Sequence, residues 1–171
     1  MTIKYQILYR ACDKVQSAHK GKRPLGLSKT QIIKVCFYSI YQAIQGMSYK
    51  FVIVGDDISQ ELLNFFSLFE DIIIDNDNLG SPSKSIQKQI DLALEVPDDE
   101  WVYMCEDDYL HTQFSFQYIS EFIENKERYL KTSPKKKNYM NRIIGDLSII
   151  PLIIHPSDYP DRYMPPWKRL S

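Results

Sequence analysis

Trp101-Val-Tyr-Met-Cys-Glu-Asp-Asp-Tyr-Leu-His111 is the stretch on which the reading of this chain turns. Residues 101–105 are a short apolar run rich in aromatic and β-branched side chains, the composition of a buried strand. The run passes without a break into three carboxylates, Glu106, Asp107 and Asp108. Three negative charges at the mouth of a buried strand repel one another and cost stability unless a cation or hydrogen-bond donors hold them, which suggests a divalent metal site. In open α/β sheets the carboxyl ends of the strands are also where ligands bind. The alternative is that Asp107 and Asp108 cap the following helix, whose exposed amides suit acidic side chains.

The segments around this stretch alternate in type. Residues 5–12, Tyr-Gln-Ile-Leu-Tyr-Arg-Ala-Cys, read as a first strand and lead into a polar loop over residues 13–27 that carries His19, Gly21, Arg23, Pro24 and Gly26. Phe51-Val-Ile-Val-Gly55 is a fully apolar second strand ending in Asp56-Asp57, and Asp71-Ile-Ile-Ile-Asp75 is a short third. Amphipathic helices separate them. Ser28 is an N-cap for a helix whose apolar positions are Ile32, Ile33, Val35, Cys36, Ser39, Ile40, Ala43 and Ile44, with a stop at Gly46. Leu62, Leu63, Phe65, Phe66 and Phe69 set a second helix over residues 59–69. The turn-rich loop Asn76-Asp-Asn-Leu-Gly-Ser-Pro-Ser83 precedes a third over residues 83–94, with Ile86, Ile90, Ala93 and Leu94 as its apolar face.

Beyond the acidic triplet, residues 114–123 have helical spacing and residues 131–137 are a basic surface loop. Ser148-Ile-Ile-Pro-Leu-Ile-Ile-His155 is a late strand, which Pro151 confines to a sheet edge or breaks in two. Apolar strands alternating with amphipathic helices predict an α/β fold, with helices on both faces of a mostly parallel central sheet.

Composition narrows the classes. At 171 residues, 44% hydrophobic and 13% aromatic, the chain has enough apolar mass for the core of a single domain over residues 1–171. A formal net charge of −1 gives no support for bulk electrostatic binding to nucleic acid. Cys12, Cys36 and Cys105 sit in apolar runs without paired metal-ligand spacing, and an odd number argues against a disulfide framework, so they read as reduced core residues. The N-terminal residues carry no signal-peptide pattern and no apolar run reaches the roughly 18 residues of a transmembrane helix, so the expectation is a soluble cytoplasmic protein.

Familiar phosphate cradles are missing. The sequence contains no GxxxxGK[ST], no GxGxxG after the first strand and no GxSxG, which removes most support for P-loop, dinucleotide-binding and serine-hydrolase readings. What remains is a set of strands that each end in polar groups: Arg10 and Asp13, Asp56 and Asp57, Asp75 and Asp77, then Glu106 to Asp108. Carboxylates at successive strand ends can converge on one crevice, and that convergence is the argument for a site.

Taken in that order, with the Gly/Ser-rich loop before the third helix, residues 4–163 resemble a nucleotide-sugar-dependent glycosyltransferase of the GT-A fold, which is Rossmann-related. In that family an acidic DxD motif holds a divalent cation against the sugar-nucleotide diphosphate. The segment His155-Pro-Ser-Asp-Tyr-Pro-Asp-Arg-Tyr163, together with an acidic triplet followed by Tyr-Leu-His, is similar to the small glycosyltransferase domains of large algal viruses; for a viral protein the expected location is the host cytoplasm.

The resemblance implies a UDP-sugar donor, a glycan or other hydroxyl acceptor, and Mn²⁺ or Mg²⁺. It places Glu106 and Asp107 toward the nucleotide sugar, and Asp108 and His155 on the metal. Arg10, Asp13, Asp56 and Asp57 fall where such enzymes contact the nucleobase. Ser81, Lys84 and Ser85 fall by ribose or phosphate, and Arg23 by the diphosphate. Arg10 reads equally as a salt-bridge partner of Asp13, and the Ser81 loop equally as a helix cap.

A metal of this kind neutralises charge on the leaving diphosphate. An inverting transferase also needs a general base, for which Asp146, Asp158 and Asp161 are the candidates, Asp158 and Asp161 foremost. Residues 1–111 then form the nucleotide-sugar part and residues 112–171 an acceptor side that is short for the family. The alternatives are a non-catalytic sugar-nucleotide-binding domain, or a metal-dependent nucleotidyl or phosphoryl transferase. For the nucleotidyltransferase Gly21-Lys-Arg-Pro-Leu-Gly26 is a faint echo of a glycine-rich loop.

Overall fold

The computed structural model of the chain describes residues 3–14 and 24–125. The strand expected over residues 148–155 and the basic loop over 131–137 lie outside them. In chain order the elements are β1 (Lys4–Ala11), a single 3-10 turn (Pro24–Gly26), α1 (Lys29–Ile44), β2 (Ser48–Asp56), α2 (Gln60–Phe66), β3 (Ile72–Asp77), α3 (Pro82–Leu94), β4 (Trp101–Glu106) and α4 (Ser115–Glu124). The chain divides into two compact units, Met1–Phe116 and Gln117–Ser171, and of the second only the later turns of α4 and the residue after it are described.

Local chemistry explains most boundaries. Ser28 starts α1 with a full capping box: its hydroxyl accepts from the Gln31 N–H at 3.1 Å while the Gln31 side chain accepts from the Ser28 N–H at 2.8 Å. Gly46, at φ +82, ends that helix in the left-handed region. Ser59 caps α2, and Ser81 caps α3 with Pro82 in the first helical position. β3 runs two residues past the expected strand, through Asp77, because its polar end pairs with β2 as far as Asp56 opposite Asp77. That pairing needs Gly55. A Cβ there would sit 2.6 Å from the Asn76 Oδ1, which accepts the Ile58 N–H at 3.1 Å.

The four strands are parallel and lie in the order β3-β2-β1-β4. This is the α/β sheet the alternation predicts. Parallel crossovers are right-handed, so building outward from β1 to β3 puts α1 and α2 over one face, and returning past β1 to β4 puts α3 over the other. The contacts agree. Tyr9, on one face of β1, packs its ring against Phe37 of α1, and its hydroxyl donates to the Ile33 carbonyl at 3.3 Å. Leu8, on the opposite face, clusters with Val52 and Val54 beneath Leu92 and Ala93 of α3 and Val102 of β4.

Phe37 is the centre of the α1 side. Fully buried, it meets the rings of Tyr9, Tyr41, Phe51, Phe65, Phe66 and Phe69 at centroid distances of 4.9–5.9 Å. The helical spacing had placed Val35 on the buried face and passed over Phe37; in the structure Val35 is half exposed and Phe37 faces the sheet. The α3 face is corrected in the same way. Ser85 and Gln89 are its buried residues, while Ile86, Ile90 and Leu94 are exposed. The polar pair is buried because it has partners: Gln89 Nε2 donates to the Leu8 carbonyl at 2.6 Å and to the Cys105 carbonyl at 3.3 Å, joining β1 to β4.

Behind β4, His111 closes the core. Its Nε2 lies 2.8 Å from the Tyr103 hydroxyl, its ring stacks on Phe116, and its backbone N–H donates to the Ser39 hydroxyl of α1 at 2.9 Å. Burial pushes the imidazole down to about 4, against a smaller upward pull from the backbone of Tyr109.

Two predictions concern this core. Phe37→Ala should cost about 3–5 kcal/mol by chemical denaturation, and Val35→Ala under about 1 kcal/mol; the reverse order would show that the helix faces the other way. His111 is disfavoured as a cation in the fold relative to the unfolded chain, so its contribution is complete above the ordinary histidine pKa and is lost as pH falls from about 6.5 toward about 4. Stability should drop by about 2 kcal/mol between pH 7 and pH 5, and His111→Gln should remove that drop. Asp107, whose pKa is raised, acts with the opposite sign just above the ordinary carboxylate value, so the comparison of wild type with the variant isolates the histidine.

Candidate functional site

Strand order decides where the site lies. The sheet is built in one direction from β1 through β3 and in the other from β1 to β4, so the crevice at a reversal of this kind opens outside the carboxyl ends of β1 and β4. Arg10 and Glu106 stand opposite one another there in register. Both lie on the α3 side, and Arg10 bonds in two directions: Nη1 donates to the Ser85 hydroxyl at 3.3 Å, and Nη2 donates to Glu106 Oε1. Its Nε is buried without a partner. Arg10 therefore pairs with Glu106 and not with Asp13.

The acidic triplet is split three ways: β4 ends at Glu106, and Asp107 and Asp108 lie in the turn that follows. Glu106 turns to the α3 side. Asp107 turns to the α1 side and is buried, with one oxygen accepting the Cys12 N–H at 2.9 Å and the other accepting from Lys29 Nζ. Burial raises its pKa, and the charge and hydrogen bond of Lys29 and the Cys12 N–H oppose that shift. Asp108 is exposed and makes no hydrogen bond or ion pair among the described residues. Helix capping does not account for the triplet: the next helix begins at Ser115, and the Asp107 carboxylate is taken by β1 and α1.

The remaining strand-end acids are also engaged. Asp56 is buried and accepts the N–H groups of Leu79 and Gly80, both at 2.9 Å, which fixes the loop before α3. Asp57, at φ +49, pairs with Lys14 at 2.5 Å. Asp13 accepts the Ser59 N–H at 3.0 Å. Lys88 of α3 spans Asp75 and Asp77 at 2.5 and 2.7 Å. Burial alone would lower the Lys88 pKa, but the hydrogen bonds and charges of the two aspartates outweigh it and the pKa is raised. Ser81 spends its hydroxyl on the Lys84 N–H, and Lys84 itself is exposed with no ion pair among the described residues.

This donor set limits what a metal can use. Among the described residues no three His, Cys, Asp or Glu side chains come together in a way that holds a metal ion. Arg10 and Lys29 supply the positive charge that the triplet needs for Glu106 and Asp107, which leaves the Asp108 carboxylate available. One carboxylate beside substrate phosphates is a common way to hold Mg²⁺, so the residues fit a metal that arrives with a phosphorylated ligand. Arg23, His155, Asp158 and Asp161 lie outside the described residues, as does Asp146.

Sequence reasoning passed over Lys29, Gln89 and Asn76. Lys29 carried a signal, because a lysine in the first turn of a helix opposes the helix dipole and needs a reason to be there. Gln89 and Asn76 carried none.

No helix among the described residues is long and apolar enough to cross a membrane. No family model matches the chain, and no curated protein or solved structure matches it either.

Proposed function

We propose that this chain is a metal-dependent glycosyltransferase of the GT-A kind, taking a nucleoside diphosphate sugar, with UDP as the nucleotide, and passing the sugar to a hydroxyl acceptor such as a glycan. The observation that carries the reading is the strand-order reversal, which brings Arg10, Glu106 and Asp108 to the crevice between the carboxyl ends of β1 and β4. Support comes from the remainder of that edge. Asp56 and Asp57 end β2, and Ser81, Lys84 and Ser85 begin α3, so a nucleotide laid along the edge meets polar groups at each strand end.

In this reading the residues divide the work. Asp108 faces solvent and would hold Mn²⁺ or Mg²⁺; the resemblance gives the second protein ligand as His155, which lies outside the described residues. The metal, when bound, neutralises charge on the departing diphosphate. Lys84 adds a positive charge that no described acid claims. Asp107 orders the site from behind by fixing the β1 loop and the start of α1. Asp56 holds the loop at Leu79 and Gly80, so that α3 begins at a fixed height above the sheet. The resemblance leaves the acceptor proton to Asp158 or Asp161, both outside the described residues.

Calorimetric titration of UDP into the protein, with and without Mn²⁺, tests the reading. Wild type should bind UDP in the presence of the metal, and Asp108→Ala should lose roughly tenfold or more in affinity, equivalent to about 1.4 kcal/mol. Failure of UDP to bind the folded protein under both conditions overturns the UDP-donor reading. Slow metal-dependent release of UDP from a UDP-sugar would separate a transferase from a domain that only binds the nucleotide.

A further inference from the structure

Arg10 is held less completely than its place demands. A guanidinium offers five N–H donors in a rigid fork. Here Nη1 reaches the Ser85 hydroxyl at 3.3 Å, Nη2 reaches one oxygen of Glu106, and Nε is buried with no acceptor. The pair is also lopsided in exposure. The Arg10 side chain is 15% exposed and that of Glu106 is 50% exposed. The cation is therefore largely buried at the strand ends, and its carboxylate partner stands on its solvent side. A carboxylate meeting a guanidinium through one oxygen forgoes the two-pronged geometry that makes such pairs strong, and a half-exposed ion pair is worth little.

We propose that Arg10 is the seat of a phosphoryl group and that Glu106 is an internal competitor, occupying the guanidinium until the phosphoryl group displaces it. In the nucleotide-sugar reading, on which the identity of the ligand rests, the phosphoryl group belongs to the diphosphate. The rest of the arrangement suits such an exchange. Ser85 is itself held, its hydroxyl donating to the Pro82 carbonyl at 2.9 Å, so the Ser85 oxygen keeps its grip on Nη1 when Glu106 leaves. Glu106, already half in water, gives up little by turning outward. A phosphoryl group carries several acceptor oxygens, and a guanidinium takes two of them side by side. The proposal inverts the role that the resemblance assigns to Glu106, since a contact to the nucleotide sugar strengthens its binding and a competitor weakens it.

The test titrates inorganic pyrophosphate, without metal, into wild type, Glu106→Gln, Glu106→Ser and the double variant Arg10→Gln/Glu106→Gln, with thermal unfolding to confirm that each is folded. Removing the competing charge should tighten pyrophosphate binding roughly three- to tenfold in both single variants, and the gain should shrink as ionic strength rises. The double variant should lose the gain. Unchanged or weaker binding in both Glu106 variants overturns the proposal, as does a gain that survives the loss of Arg10. UDP with Mn²⁺ is run on wild type alongside: if UDP does not bind while the Glu106 variants still tighten pyrophosphate, the nucleotide-sugar reading falls and the anion seat stands.

Discussion

A buried carboxylate has to be held, and at Asp107 three separate pieces of chain do the holding. The residue follows β4, accepts an N–H from the end of β1, and takes a lysine from the first turn of α1. Leaving such a charge without its partners costs several kcal/mol, on the order of 3–5 when one side of a buried pair is removed. The arrangement therefore fixes the relative positions of β1, β4 and α1 at the end of the sheet where the crevice opens. It also sets the direction of its neighbours. With Asp107 committed to the α1 side, Glu106 at the end of β4 lies on the α3 side with Arg10, and Asp108 in the turn is left in solvent.

That division changes the force of the argument from charge. In sequence, three adjacent carboxylates call for an external cation. In the structure two of them already have cations of their own, Arg10 for Glu106 and Lys29 for Asp107, so repulsion within the triplet no longer requires a metal. The case for a metal comes to rest on Asp108 and on what a ligand would bring with it.

The layout was legible because it depends on period and punctuation. Each described strand and helix sits within a few residues of the position that its apolar spacing marks, and Ser28, Gly46 and Ser81 stop or start helices for reasons visible in the chain. What was not legible is which way a helix turns when its apolar stripe is broad. On α1 the spacing fits Val35 nearly as well as Phe37, and only the aromatic rings brought in by β1, β2 and the α2 region decide between them. On α3 the buried face belongs to Ser85 and Gln89, whose side chains bond Arg10 and the carbonyls of Leu8 and Cys105, while Ile86 and Ile90 are exposed. The same blindness covers the site. Position along the chain said that the strand-end acids share an edge, but not that all except Asp108 would find an internal partner.

Those partners define what the crevice offers. Asp13 and Asp56 are spent on backbone N–H groups, Asp57 on Lys14, Asp75 and Asp77 on Lys88, Glu106 on Arg10, and Asp107 on Lys29 and Cys12. A site with so many acids would repel a phosphate if their charges were bare. Arg10, Lys14, Lys29 and Lys88 offset part of that charge and backbone N–H groups hold Asp13 and Asp56, so the charged side chains left with neither a hydrogen bond nor an ion pair among the described residues of this edge are Asp108 and Lys84. One is suited to a cation and the other to an anion, which is the combination that a metal-bound phosphate presents. The selectivity of such a site then depends less on net charge than on which internal pair yields first, and Arg10 with Glu106 is the pair with a buried donor still unsatisfied.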